Sequence, residues 1–193
     1  MKNILIAITF IISVSSFAQT KIGHVNSELL LDTLESRKLA LKELENIKSE
    51  GLKVLQRIQD EGMKELQEMN KAFEAAYVIF QQKEKDLSPV LLKMEQEKLG
   101  RKQQELESRQ QELEKGMQNY NQEIENNLQK RNEELITPIL AMVKKAVAIV
   151  ADRNKLSYII DESATLYSKG GIDCNSEVMV ELLKLDKEAI KKK

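Results

Sequence analysis

From residue 27 to residue 86 the chain contains no proline, and Glu, Lys, Gln and Leu dominate it. These are strong helix formers, so the segment has little alternative to a long helix. Leu30, Leu34, Leu41, Leu44, Leu55, Ile58, Met69, Phe73, Ala76 and Phe80 follow three-and-four spacing, as a seam between two helices requires. Arg37, Lys48, Gly51 and Gly62 interrupt that spacing. A glycine inside a helix costs about 1 kcal/mol relative to alanine, so the expectation is a narrow, wet seam and a flexible arm.

"DLSP" (86–89) supplies a turn: Ser88 suits an N-cap, and Pro89 suits the first helical position, where its missing N–H costs nothing. A second helix is expected to run to about Asn154. Its Leu92, Leu99, Leu106 and Leu113 repeat by sevens, continued by Met117, Tyr120, Ile124 and Leu128. The pattern predicts an antiparallel hairpin with its tip near 81–94 and arms roughly 90 Å long at 1.5 Å per residue. Past Pro138, Ile139, Leu140, Met142, Val143, Val147, Ile149 and Val150 broaden into a face suited to a compact core. Pro138 is therefore read as the point where the arm meets a body.

That body is expected from the two ends of the chain, 19–39 and 136–193, with the hairpin 40–135 inserted between them. "KIGHVN" (21–26), "LSYIID" (156–161) and "ATLYS" (164–168) read as strands, with "DESA" as a connection. Asn175 is placed to cap a helix over 176–185, and "DKEAIKKK" reads as a frayed end. The fold class is mainly α with a small β-rich body. A core of this size is marginal for a monomer, which points to association through the body. Ile22, Val25, Tyr158, Ile160 and Leu166 are the residues expected to build that oligomerisation unit.

The opening "MKNILIAITFIISVSSFAQT" has a positive start, an apolar run too short to span a bilayer comfortably and a small-x-small site, so cleavage is expected after Ala18. The protein is thus expected outside the cytoplasm. Cys174 is the only cysteine, which leaves no intramolecular disulfide and favours a small buried hydrophobe. His24, the only histidine, has no neighbouring ligand residue and reads as an ordinary strand histidine. No phosphate loop, dinucleotide glycine pattern, nucleophile elbow or zinc motif is present. Asp161 and Glu162 read as turn residues. No enzyme, cofactor or metal is expected, and a net charge of −1 gives no reason for nucleic acid as partner.

The most apolar part of the hairpin is its far end, "YVIFQQKEKDLSPVLLKM" (77–94). A two-helix tip cannot bury so many apolar side chains, because each helix has only one neighbour. Surplus surface there suggests contact with a partner. Phe73, Tyr77, Ile79, Phe80, Leu87, Val90, Leu91 and Met94 are the candidates.

The order of these parts resembles the Skp (OmpH) family of periplasmic chaperones. "KIGHVNSELLLDTL" and "LITPILAMVKKAVAIVADRNKLSYIIDESATLYS" carry the resemblance, with the charged hairpin between them. It implies a homotrimer whose bodies associate while three helical tentacles enclose a cavity. Unfolded outer-membrane β-barrel proteins would be held there without ATP and passed towards the outer-membrane assembly machinery. The chain departs from the family pattern at Leu156-Ser157, where glycine is frequent, and in its charge. Lys83, Lys85, Lys93 and Lys98 are balanced by Glu84, Asp86, Glu95 and Glu97, so the tip has no positive surplus for lipopolysaccharide or anionic membrane. The competing class is a structural or adaptor coiled coil of the cell envelope.

Overall fold

The computed structural model describes residues 21–167 and 170–191; the expected signal segment lies outside them. The elements run β1 (Ile22–Val25), α1 (Ser27–Asp32), α2 (Glu35–Lys83), a 3-10 turn (Glu84–Asp86), α3 (Pro89–Asn154), β2 (Tyr158–Asp161), a second 3-10 turn (Glu162–Ala164), β3 (Ile172–Asp173) and α4 (Asn175–Lys191). The protein is mainly helical with one small sheet. Among the described residues, the segments up to Leu39 and from Leu135 form one compact unit, and Ala40–Glu134 forms another.

In the first unit three parallel strands lie in the order β2-β1-β3, with Ile22 opposite Tyr158 and Gly23 opposite both Ile159 and Ile172. Val25, Leu30, Leu34, Leu135, Ile139, Ala146, Val150, Cys174, Val178 and Leu182 are its buried apolar side chains. Gly23 is required there. A Cβ at that position would come within 2.8 Å of Cys174 Sγ and of Leu156 Cδ1.

Three expectations fail in this unit. The first long helix is broken at Thr33–Leu34 into α1 and α2. Thr33 Oγ1 donates to the Leu30 carbonyl at 2.8 Å, closing α1. The first amides of α2, Glu35 N and Ser36 N, donate to the buried Asp186 carboxylate of α4 at 3.0 and 3.3 Å. A carboxylate distant in sequence thus acts as the cap.

"ATLYS" is not a strand over its described residues 164–167. Asp161 accepts from Ser163 N at 3.1 Å and Thr165 Oγ1 donates to the Asp161 carbonyl at 3.2 Å, so short polar side chains hold a turn instead. The third strand is β3, whose ladder continues where Cys174 N donates to the His24 carbonyl at 3.0 Å.

The last helix starts at Asn175 and runs on to Lys191, so the expected fraying of 186–191 is absent. Asp173 Oδ1, not Asn175, accepts the first amide, at 2.9 Å. The Asn175 side chain instead accepts from Asn26 N at 2.7 Å, tying α4 to the end of β1.

In the second unit α2 and α3 run antiparallel: Glu43 meets Arg131, Gly51 meets Ile124, Gly62 meets Leu113, and Glu65 meets Arg109. α3 continues through Pro138, which has no N–H for the Glu134 carbonyl. The glycines expected to interrupt the seam form part of it. A Cβ at Gly62 would lie 2.4 Å from Leu113 Cδ1, and one at Gly51 would lie 2.9 Å from Ile124 Cδ1. Residues 41–73 read as three 11-residue repeats, "LKELENIKSEG", "LKVLQRIQDEG" and "MKELQEMNKAF". Eleven residues make three turns of nearly undistorted helix, so each repeat returns the same positions to the same face. At the last position Gly51 takes Ile124 and Gly62 takes Leu113 of α3, which are themselves one repeat apart.

Candidate functional site

The end of the second unit is built from the last turns of α2, the 3-10 turn and the start of α3. Leu87 is extended and Pro89 is the first helical residue of α3. The Leu92 amide donates to the Ser88 carbonyl at 2.9 Å, so the new helix is hydrogen-bonded from its first turn. The eight candidate residues of this region separate by burial. Phe73, Phe80 and Leu87 are half-buried. Tyr77, Ile79, Val90, Leu91 and Met94 are exposed, Val90 to 71%. Val78 is exposed beside them. Phe73 and Tyr77 stack at a centroid distance of 6.3 Å, which holds the tyrosine ring in place although half of it faces solvent.

The sheet has one apolar face turned outward. Ile22, Tyr158 and Ile160 are exposed there, Tyr158 to 64%. Val25 points the other way into the core, and Leu166 stands outside any strand and is fully exposed. His24 lies in register with Ile160. Its Nδ1 is 2.6 Å from Glu162 Oε1, and Asn175 Nδ2 also donates to that oxygen, at 3.4 Å. Glu162 therefore ties β1 to the turn after β2 and to α4. Asp161 accepts from the Ser27 hydroxyl, from Ser27 N at 3.3 Å and from Ser163 N at 3.1 Å. Those hydrogen bonds, the hydroxyl's first, hold its carboxyl below the ordinary carboxylate range. Each carboxylate is occupied in holding the fold. Burial pushes the Cys174 thiol above its ordinary value, which leaves it a packing group rather than a nucleophile.

Sequence reasoning passed over a third surface, and one of its members, Leu41, was expected in the seam but is half exposed. Leu41, Leu52 and Met63 open the three successive repeats of α2, and all are about half exposed. The available signal was the repeat itself, which three-and-four spacing obscures. Among the described residues no helix is long and apolar enough to cross a membrane, and no group of three or more His, Cys, Asp or Glu could hold a metal ion.

These surfaces suit contact with other chains. The model of the outer membrane protein (OmpH-like) family matches residues 21–182. The chain belongs to the OmpH-like family. Members of that family are periplasmic chaperones of outer-membrane proteins rather than enzymes. The match begins at β1 and ends within α4, so it takes in both units and every surface described above. No curated protein matches the chain.

Proposed function

We propose that this OmpH-like chain is an ATP-independent periplasmic holdase, exported by cleavage after Ala18. It works as a homotrimer that holds unfolded outer-membrane β-barrel proteins in a cavity between helical arms and passes them towards the assembly machinery. The observation that supports this most is the exposed apolar set Tyr77, Ile79, Val90, Leu91 and Met94, the densest such set on a helical hairpin otherwise rich in charge. A holdase needs many weak, non-directional contacts. Apolar burial at about 25 cal/mol per Å² provides them without a deep pocket, and several arms acting together supply avidity. Methionine and aromatic side chains suit clients of varied sequence. The tip's balanced charges favour this apolar contact over lipopolysaccharide or membrane.

The test is light scattering of a urea-unfolded β-barrel outer-membrane protein on dilution, with and without the mature chain. Replacing Tyr77, Ile79 and Val90 together by Ser is expected to weaken aggregation suppression at unchanged helix content and unchanged oligomer mass. Each covered side chain contributes about 1–2 kcal/mol. Unaltered suppression by the triple variant would move client contact away from the tip. No suppression by the parent chain would remove the holdase reading altogether.

A further inference from the structure

Two shallow depressions, open to solvent over most of their extent, lie along the second unit. Leu52, Lys53 and Gln56 line one, which α2 forms alone; Met63, Lys64 and Gln67 line the other, with Leu66 and, from α3, Leu106 and Gln110 as further wall. These three are the same positions of successive 11-residue repeats, so the same α2 face is presented twice, about 16 Å apart along the helix. Each has an exposed apolar side chain at its mouth, Leu52 at 48% and Met63 at 58%.

We infer that these repeated subsites bind an extended, unfolded polypeptide, each taking one apolar side chain. The inference rests on the holdase reading and names what that activity grips along the arm. One exposed apolar residue every three turns of α2 is too sparse for a partner helix or a second copy's arm, which need one every three or four residues. The charges give no surplus for a membrane or nucleic acid: Lys53 pairs with Glu50 at 2.8 Å, Glu45 accompanies Lys48, and Asp60 accompanies Lys64. An occupant without net charge fits that balance. An extended chain rises about 3.3 Å per residue, so 16 Å corresponds to about five residues. In a pleated strand, residues five apart point to opposite faces. An unfolded chain has no such restriction, and its free N–H and C=O groups find partners in the Gln56 and Gln67 amides. The spacing thus favours unfolded over folded β-sequences.

The experiment uses the full mature chain and fluorescein-labelled Ser/Gly/Thr peptides carrying two leucines five residues apart, two residues apart, or none. Fluorescence anisotropy is expected to give about tenfold tighter binding for the five-residue spacing. The L52Q/M63Q variant, which keeps good helix formers at both exposed positions, should lose that preference with its circular dichroism unchanged. Equal binding of all peptides, binding of none, or a preference that survives in L52Q/M63Q would overturn the inference. Light scattering of the unfolded β-barrel protein runs in parallel. Suppression by the parent chain without spacing preference removes the subsites alone, whereas absent suppression removes the holdase reading.

Discussion

Lys155 ends α3 in the left-handed region, at φ 51°. Around it Leu156 N donates to the Ala151 carbonyl at 2.9 Å and Lys155 N to the Asp152 carbonyl at 3.2 Å, the paired bonds of a Schellman cap. A side chain in that backbone region costs about 1–2 kcal/mol, and glycine avoids the cost at the expense of greater freedom in the unfolded chain. Lys155→Gly is therefore expected to stabilise the protein by about 0.5–1 kcal/mol, read as a higher urea midpoint. Asp161 gives a pH signature. Its folded carboxyl titrates below its unfolded value, so its contribution is present above the unfolded pKa and is lost as pH falls through the folded one. Asp161→Asn should lower stability at neutral pH and flatten the acid limb of the stability profile. An unchanged acid limb would mean that other carboxylates set it.

At the scale of the element, four glycines lie inside the long helices and do not act alike. Gly51 and Gly62 face Ile124 and Leu113 across the seam, whereas a Cβ at Gly100 or Gly116 would meet nothing within 4 Å. Alanine at the open pair removes helix-glycine entropy cost and should raise stability by about 0.5–1 kcal/mol each. Alanine at Gly62 must displace the Leu113 side chain, and valine must displace it further, at a cost of about 1–3 kcal/mol. Thermal unfolding followed by circular dichroism should show the two pairs moving in opposite directions. Common stabilisation would mean that the seam has room to spare. Glu43–Arg131 and Glu65–Arg109 recur two repeats apart, each arginine also holding the glutamate three residues on. Being exposed, these pairs contribute little to stability individually.

For the whole molecule, the outward apolar face of Ile22, Tyr158 and Ile160 is the surface on which the proposed association rests. Three large side chains exposed together on so small a sheet are costly in a free subunit and favourable once covered. Tyr158→Glu combined with Ile160→Lys should convert the proposed trimer to monomer in sedimentation velocity. The core residues Val25, Leu30 and Leu182, which lie elsewhere, should keep the fold. A variant of undiminished mass would place the association on another surface. Loss of oligomer with intact client binding would show that one arm suffices.

Residue types and their short-range spacing determined the two long helices, the turn at Pro89, the strands at Ile22–Val25 and Tyr158–Asp161, and the apolar end of the hairpin. Helix propensity, proline geometry and side-chain period all act within a few residues, so they can be read along the chain. The break between α1 and α2 could not be read that way, because its acceptor is Asp186, 151 positions from the amide of Glu35. The third strand was misplaced for a related reason. Thr and Leu suit a strand, but the Asp161 carbonyl and carboxylate capture the following turn, and β1 pairs with Ile172–Asp173 instead. Gly51 and Gly62 look like defects when judged by intrinsic helix cost. Only the packing of Ile124 and Leu113 against them shows why a side chain has no space there, because glycine's value at a seam depends on how closely another helix approaches.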